Sequence, residues 1–345
     1  MLARLLRLST EQRVVVVPLI GLSERNRQLA DNPDVIYHPL GMRSALGLPG
    51  TLAKLTSLIR AEKPRVMLCW MYHAMALGAI GGRLTGTPFY WTVRQSLEDP
   101  AAFTRSTRMA VSTCRAMARW PEGIIYNSAR SKIHHQDYGY DNPNSIVIPN
   151  GFDLPDVTPP APSATARVFG IAGRLHPQKD YPTFFAAAAR AGRDHPHLRF
   201  CIAGKGMTAD NPEVRALMDA AGASPEQFDL LGELSDMAPF YRRIDALVLS
   251  SRTEGFPNVV AEAMSYGKPV VTTDVGDAAD IVGDTGIVCP ARDPEALAAG
   301  IAFFANASSE TYSEKCRAAL RRIEDNYSLP KIYETYRRFL DGRDG

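Results

Sequence analysis

Short apolar runs that alternate with helical stretches constrain the fold of this chain more than any other feature. The runs are rich in β-branched and aromatic residues, and most are separated by about 10–20 residues, which suits a helix rather than a tight turn. Strands joined through helices pair in parallel, so the pattern predicts an α/β fold with parallel sheets. The predicted strands span residues 14–19, 35–38, 66–70, 89–93, 124–126, 146–148, 168–172, 198–203, 228–231, 246–250, 269–272 and 286–289.

The length of 345 residues exceeds what one ordinary hydrophobic core contains and favours two domains. A proline-rich stretch, 153–163, separates two α/β halves of similar size. We therefore predict a first Rossmann-like domain over residues 1–152, a linker over 153–166 and a second such domain over 167–327. An amphipathic terminal helix over 328–342 is expected to pack back on the first domain. Because open α/β sheets bind ligands at the carboxyl ends of their strands, we expect a ligand cleft there.

The composition is typical of a soluble globular protein, with 45% hydrophobic and 22% charged residues. No apolar run reaches the roughly 18 residues that a membrane span needs, and the segment from Met1 to Leu8 is too short and too charged for a signal peptide. The five cysteines form no CxxC pair, which argues against a disulfide framework or a zinc site and favours a reducing cytoplasm. Residues 1–150 carry 18 Lys and Arg against 10 Asp and Glu, which suits an anionic surface.

Two carboxylates, Glu254 and Glu262, lie on either side of a Gly-Phe-Pro-Asn turn. An apolar run precedes Glu254, and Pro257 stands where the first turn of a helix tolerates proline, so the motif is typical of a strand, a loop and a helix. Unpaired N–H groups at a helix start attract phosphate, whereas carboxylates accept hydrogen bonds from sugar hydroxyls. A nucleotide-sugar carries both kinds of group and is the ligand that this motif favours. The alternative is that the two acids only complement the helix dipole.

A basic loop and a glycine-rich turn follow two other predicted strands. Gly173 permits a sharp exit from the strand 168–172, and Arg174 and Lys179 place two cations beside a helix start. Such cations would hold a diphosphate and stabilise it as it leaves, although a surface turn with solvated cations is the alternative. The turn Gly204-Lys205-Gly206 follows the strand 198–203 and would let the backbone approach a nucleobase or a ribose.

In their order along the chain, these motifs resemble those of the GT-B retaining glycosyltransferases of family 4, a large bacterial group that builds polysaccharides and glycolipids. Residues 148–153 resemble the interdomain signature of that family, and Asn127-Ser128 resembles its preceding strand-end motif. The resemblance implies two Rossmann-like doubly wound domains that face a cleft. It also implies a metal-independent reaction without a protein nucleophile, in which the leaving phosphate takes the proton of the acceptor and catalysis rests on positioning and charge.

The resemblance assigns roles to individual residues. Arg174 and Lys179 would grip the donor diphosphate, and Glu254, the third predicted catalytic residue, would accept hydrogen bonds from the donor sugar. Glu262 would bind the ribose hydroxyls. The other predicted donor-binding residues are Gly173, Gly204, Gly206, Gly255, Phe256, Pro257, Asn258 and Val259. The predicted acceptor-side residues are His73, Arg94, Asn127 and Asn150.

Two features depart from the family pattern. Met1 to Leu8 resembles the helix that follows the first strand and glycine-rich loop of the family and leads directly into the segment 14–19, so we expect the chain to lack that strand and loop. Loss of a central parallel strand predicts a first domain that is less stable than the second. The second departure is Arg94, which stands where many relatives carry a histidine, while His73 matches another strand-end position of the family.

The leading hypothesis is a retaining glycosyltransferase that moves a sugar from a UDP-linked donor to a glycan or lipid-linked acceptor, in the cytoplasm or at the inner face of the cell membrane. We expect no cofactor, metal ion or nucleic-acid partner. Residues 101–120 carry four arginines and no acid, and they either rest on an anionic bilayer or lipid pyrophosphate or pack on the first domain with the arginines outward. The alternative functions are a nucleotide-sugar epimerase and a catalytically inactive nucleotide-sugar-binding subunit.

Overall fold

The computed structural model describes residues 1–10, 12–22, 24–44, 47–98, 103–157 and 165–342. The chain divides into two compact units: unit 1 comprises Met1–Gly151 with Leu329–Gly345, and unit 2 comprises Phe152–Ser328. Half of the predicted linker, residues 158–164, lies outside the described residues.

Within the described residues, every predicted strand is present, with ends that differ by a few residues at most. The strands are β1 Val15–Val16, β2 Ile36–Tyr37, β3 Met67–Trp70, β4 Phe89–Val93, β5 Gly123–Tyr126, β6 Ser145–Val147, β7 Val168–Ala172, β8 Arg199–Ala203, β9 Phe228–Gly232, β10 Ala246–Leu249, β11 Val270–Thr273 and β12 Ile287–Cys289. The helices are α1 Leu2–Leu8, α2 Glu24–Ala30, α3 Leu48–Glu62, α4 Tyr72–Thr85, α5 Arg105–Ala116, α6 Ala129–Tyr138, α7 Tyr181–Asp194, α8 Pro212–Ala221, α9 Ala238–Arg243, α10 Asn258–Ser265, α11 Ala278–Val282, α12 Pro294–Asn306, α13 Ser309–Tyr327 and α14 Leu329–Leu340.

Unit 1 is built on parallel strands in two groups. β3, β4, β5 and β6 form a four-stranded sheet in that order, and β1 pairs in parallel with β2 in a separate two-stranded sheet. On one face of the larger sheet, Trp91 and Tyr126 pack against α4 and α5. On the other face, Tyr90 and Ile125 pack against α1 and α14, where Tyr336 is buried. Both faces are covered, which is why the central strands are continuous apolar runs rather than alternating ones.

Unit 2 is a six-stranded parallel sheet in the order β12-β11-β10-β7-β8-β9. The chain builds β7, β8 and β9 toward one edge, then returns to place β10 on the other side of β7 and proceeds to the opposite edge. Helices lie on both faces, since Ala246 and Val248 of β10 point into one core cluster and Leu247 and Leu249 into the other. The direction of winding therefore reverses between β7 and β10. In doubly wound sheets, the crevice at the carboxyl ends of the strands at such a point is the usual ligand site.

Candidate active site

The loops that leave β7 and β10 carry the three predicted catalytic residues. β7 ends at Ala172 and β10 ends at Leu249, and the two strands are hydrogen-bonded neighbours. Arg174 is exposed in the first loop, whereas Lys179 of the same loop and Glu254 of the second are partly buried. Because β7 and β10 are neighbours, Lys179 and Glu254 meet although they are 75 positions apart in the sequence.

Lys179 and Glu254 form an ion pair at this edge of the sheet. The distance from Lys179 Nζ to Glu254 Oε1 is 2.6 Å, and only 19% and 12% of the respective side chains are exposed. The hydroxyl of Ser251 donates to the same carboxylate oxygen at 2.8 Å. Partial burial strengthens such a pair relative to one on the open surface. The pair therefore fixes both charged groups in one place.

Backbone and side-chain hydrogen bonds join the two loops along their length. Ser250 Oγ donates to the carbonyl of Lys179 at 2.7 Å, the N–H of Arg252 donates to the carbonyl of Gln178 at 2.8 Å, and Gln178 Nε2 donates to the carbonyl of Thr253 at 2.7 Å. Each bond joins one loop to the other. These hydrogen bonds hold the two loops together and limit the independent movement of the predicted catalytic residues.

A second ion pair reinforces this connection. Arg252 Nη2 donates to Asp180 Oδ1 at 2.7 Å, and Thr183 Oγ1 donates to Asp180 Oδ2 at 2.8 Å. The Asp180 side chain is fully buried, and its backbone is left-handed with φ +51° at the start of α7. Burial alone would raise the pKa of Asp180, but the hydrogen bonds from Arg252 and Thr183 outweigh it and hold that pKa below its usual value.

The predicted glycine positions are points of close backbone approach. A Cβ atom on Gly204 would lie 1.8 Å from the carbonyl oxygen of Gly173, so no larger residue fits without moving the backbone. Gly173 donates its N–H to the carbonyl of Ala203, and Leu175 donates to the carbonyl of Lys205, each at 2.9 Å. The loop after β7 and the turn after β8 are therefore in direct contact. Gly206 has φ +85°, which favours glycine.

The loop that carries the two glutamates leads into α10. Pro257 immediately precedes the helix, which begins at Asn258, and places Glu262 on its second turn as predicted. Glu262 Oε2 accepts a hydrogen bond from Tyr241 OH at 2.8 Å. The ring of Phe256 is buried against the interior and not toward a ligand: it stacks on Phe152 with ring centroids 6.0 Å apart. Of the predicted contacts in this loop, Gly255, Asn258 and Val259 keep accessible surface.

Several residues at this edge were missed by the sequence analysis. Ser251 and Arg252 connect the two loops, as described above. A third loop, after β11, also reaches the site: a Cβ atom on Gly276 would lie 2.3 Å from the carbonyl oxygen of Gly255, and Gly276 has φ +52°. Asp277 donates its N–H to that same carbonyl at 3.1 Å. The signal in the sequence was a glycine soon after a buried strand, the same signal that identified Gly173.

The predicted acceptor-side residues lie in unit 1, at the carboxyl ends of its strands. His73 is exposed in the first turn of α4, which follows β3. Arg94 directly follows β4, Asn127 directly follows β5, and Asn150 lies shortly after β6. Arg94 Nη1 donates to Asn150 Oδ1 at 3.1 Å, so two of the four residues are in contact.

The described residues contain no group of three or more His, Cys, Asp or Glu side chains placed to hold a metal ion. None of their helices combines the length and the apolar character that a membrane crossing requires. The predicted independence from metal ions stays a prediction.

Family models match both halves of the chain. Residues 2–155 match the model described as Glycosyltransferase Family 4, and residues 166–306 match the model described as Glycosyl transferases group 1. The lipopolysaccharide core biosynthesis mannosyltransferase LpcC of Rhizobium leguminosarum bv. viciae is 32% identical over 83% of this chain and 82% of its own length.

The chain is also similar to a galactosyltransferase and to a protein of known structure. The UDP-Gal:alpha-D-GlcNAc-diphosphoundecaprenol alpha-1,3-galactosyltransferase of Escherichia coli is 27% identical over 65% of this chain and 62% of its own length. Among solved structures, Anabaena Alr3699/HepE in complex with UDP superposes with a TM-score of 0.82 at 20% identity, over 99% of this chain and 95% of that one. At this level of identity the superposition establishes the fold.

Proposed function

The chain belongs to glycosyltransferase family 4 and is a glycosyltransferase of GT-B fold, and from this premise we propose that it is a retaining hexosyltransferase with a UDP-linked donor. The acceptor is a glycan or a lipid-linked saccharide, and the product enters polysaccharide or lipopolysaccharide biosynthesis. The observation that carries the proposal is the contact of 2.6 Å between Lys179 and Glu254 at the reversal point of unit 2.

The donor site is assigned to the connected loops of unit 2. Arg174 is exposed and free to approach a diphosphate, and Lys179 lies where it can exchange its contact with Glu254 for one with a phosphate oxygen. Glu254 then becomes an acceptor for the hydroxyls of the donor sugar. Glu262 takes the ribose hydroxyls in place of, or together with, its bond from Tyr241. The N–H groups at the start of α10 add to the positive potential around the phosphates.

The proposed reaction keeps the configuration of the sugar carbon. The bond between that carbon and the diphosphate oxygen breaks as the acceptor oxygen bonds to the same face. The acceptor proton passes to the departing phosphate oxygen, so atoms and charge balance without a protein nucleophile. Lys179 and Arg174 stabilise the charge that develops on the diphosphate, which is the main contribution of this chain to the rate.

The choice of UDP rests on two proteins that this chain resembles. HepE was solved in complex with UDP, and the Escherichia coli relative uses UDP-Gal. The Rhizobium relative is a mannosyltransferase, so the relatives differ in the sugar that they transfer. We assign the uridine diphosphate and leave the hexose open.

We also propose that the enzyme works at the cytoplasmic face of the membrane, docked through α5. Arg105 and Arg108 lie on this helix beside Met109, a residue that is 72% exposed. An exposed apolar side chain among arginines suits the boundary of an anionic bilayer. Flotation with vesicles that contain anionic lipid tests this: the protein should float, and the variant with Arg105→Ser, Arg108→Ser and Met109→Ser should remain at the bottom.

Incubation with radiolabelled UDP-hexoses tests the central proposal. With a lipid-extracted or polysaccharide acceptor fraction, UDP release should depend on both the correct hexose donor and the acceptor, and NMR of the product should show the anomeric configuration of the donor. A changed sugar without acceptor would instead establish an epimerase. UDP binding with neither transfer nor hydrolysis would establish an inactive binding subunit.

A further inference from the structure

Among the described residues of unit 1, the buried side-chain atoms without a hydrogen-bond partner include three at the carboxyl edge of the four-stranded sheet. They are Thr92 Oγ1, Arg94 Nε and Asn127 Oδ1. Nearly all buried polar atoms in folded proteins are paired, because an unpaired one forfeits its hydration without compensation. Three such atoms close together therefore require an explanation in terms of a ligand or of bound water.

The three side chains lie on one face of the sheet, at its carboxyl edge. Thr92 and Arg94 are two positions apart, so both point to the same side of β4 and its continuation. Thr92 is in register with Ile125, and the N–H of Asn127 continues the ladder by donating to the carbonyl of Val93 at 3.2 Å. Asn127 therefore stands beside Arg94, on the face where Ile125 packs with α1 and α14.

Arg94 is a desolvated cation surrounded by neutral groups. Its guanidinium carbon lies 4.4 Å from the ring centroid of Trp70 and 5.7 Å from that of Tyr336. Its hydrogen bonds go to the amide oxygen of Asn150 and to the hydroxyl of Tyr336. Among the described residues, no carboxylate forms an ion pair with Arg94. Burial lowers the pKa of Arg94 to about 9, and a buried charge without a counter-charge is costly.

We propose that Thr92, Arg94 and Asn127 bind an acidic sugar, and that the acceptor of this enzyme carries a carboxylate or a phosphate next to a free hydroxyl. The guanidinium supplies the missing counter-charge to the anion, in the geometry that suits carboxylate and phosphate oxygens. The Thr92 hydroxyl donates to the same anion, and Asn127 Oδ1 accepts from the neighbouring hydroxyl. Arg94 keeps an accessible fraction of its surface, through which the ligand reaches it.

This inference rests on the proposed function, because it names the class of acceptor for that transfer. A purely structural role of Arg94 is the competing explanation, since its bond to Tyr336 attaches α14 to the sheet. The two explanations differ in what they predict for ligands. An attachment point needs no anion, whereas a binding site distinguishes a charged sugar from a neutral one.

Ligand-observed NMR with glucuronate, glucose 6-phosphate and neutral glucose provides the first test. At least one acidic sugar should bind at least about tenfold more tightly than glucose, and Arg94→Gln should remove that preference. Arg119→Gln is the matched control, because Arg119 is an exposed arginine of the same unit that pairs with Asp141. Equal affinity for all three sugars, or an acid preference that Arg94→Gln leaves intact, would overturn the proposal. The two acidic probes distinguish a carboxylate site from a phosphate site.

The variant Asn127→Asp provides a second test that does not depend on removal of Arg94. The new carboxylate should pair with Arg94, so the melting temperature should rise. The preference for acidic sugars should fall at least about tenfold, because the charge of Arg94 is already neutralised by the new carboxylate. UDP affinity, measured on the same samples, should stay unchanged. If Asn127→Asp raised the melting temperature but kept the full preference for acidic sugars, the proposal would be overturned and Arg94 would have only its structural role. If the wild-type protein did not bind UDP, that result would count against the proposed function and not against the acidic-sugar site.

Discussion

Lys179 Nζ lies 2.6 Å from Glu254 Oε1, so the cation predicted to hold the donor diphosphate is paired with the carboxylate predicted to hold the donor sugar. This ion pair thus connects the residue proposed to bind the diphosphate with the residue proposed to bind the sugar. Binding of the diphosphate would draw Lys179 toward phosphate and release Glu254 toward the sugar hydroxyls. This exchange couples recognition of the nucleotide to placement of the sugar, and it makes the pair the first target for substitution.

Lys179→Ala should lower kcat by about 10²-fold or more, because it removes the preorganised positive charge that stabilises the departing diphosphate. Steady-state kinetics of UDP release provides the measurement. Arg190→Gln is the matched control, since Arg190 lies on α7, which follows the same loop, and its pair with Glu295 is on the exposed surface. An unchanged kcat for Lys179→Ala would remove Lys179 from the assigned role.

Glu262→Gln should weaken the binding of free UDP, whereas Glu254→Gln should leave free UDP binding nearly intact and weaken that of the complete donor. The reason is that the ribose belongs to both ligands and the sugar to only one. Each lost charge-assisted hydrogen bond should cost about 1.5–3 kcal/mol. Calorimetry with UDP and with UDP-hexose measures both effects, and the opposite pattern would show that the two roles are exchanged.

Arg252→Gln should destabilise unit 2 by about 1–3 kcal/mol, because the fully buried carboxylate of Asp180 loses its charged partner. Its effect should also depend on pH. The folded-state pKa of Asp180 lies below 3.8, so the pair stabilises the protein above about pH 3.8, and that contribution is lost as the pH falls through the lower folded value. Urea unfolding between about pH 2 and pH 5 should show less acid sensitivity in Arg252→Gln than in the wild type. Equal acid sensitivity would contradict this account of the pair.

His135 should make unit 1 sensitive to mild acid. Its ring is buried: Nδ1 lies 2.7 Å from the carbonyl of Ser131, and Nε2 lies 2.9 Å from Tyr72 OH. Burial lowers the pKa of His135 from 6.5 to about 4. The unfolded chain therefore takes up the proton first, and stability falls by up to about 1.4 kcal/mol per pH unit between pH 6.5 and 4.

Chemical unfolding of unit 1 across that pH range checks this expectation. The wild type should show a steeper loss of stability than His135→Gln. The neighbouring variant His134→Gln should keep the wild-type slope, since the His134 ring is partly exposed and its Nδ1 lies 2.8 Å from Ser96 Oγ. Identical slopes for the wild type and His135→Gln would assign the acid sensitivity to other groups.

Transfer should persist in excess EDTA, because the start of α10 and the cations Arg174 and Lys179 are assigned the charge stabilisation that a divalent ion supplies elsewhere. The measurement is the initial rate of UDP release before and after chelation. Activity that vanishes with EDTA and returns with Mg²⁺ or Mn²⁺ would contradict this prediction and would require acidic ligands that the sequence analysis did not identify.

The strands and the loops that follow them could be predicted from the sequence, because their signals are local. Apolar runs of β-forming residues identified every strand of the described residues. A glycine or a charged residue shortly after a run identified Gly173, Gly204 and Glu254. Gly276 gave the same kind of signal and was missed because no charged residue of a known motif accompanied it. The family motifs supplied the order of the loops and, through it, the class of enzyme.

Only the tertiary structure decided which of these loops are neighbours. Lys179 and Glu254 meet because β7 and β10 are adjacent in the sheet, and Arg252 reaches Asp180 across the same junction. Arg94 meets Tyr336 across 242 positions of sequence. Periodicity and turn residues reflect interactions within a few positions, whereas strand order and long-range contacts depend on how all the helices and strands pack together. For that reason the sequence determined the parts of the proposed donor site. The fold decided that Arg94 of unit 1 would lie against Trp70, Asn150 and Tyr336, which are all neutral.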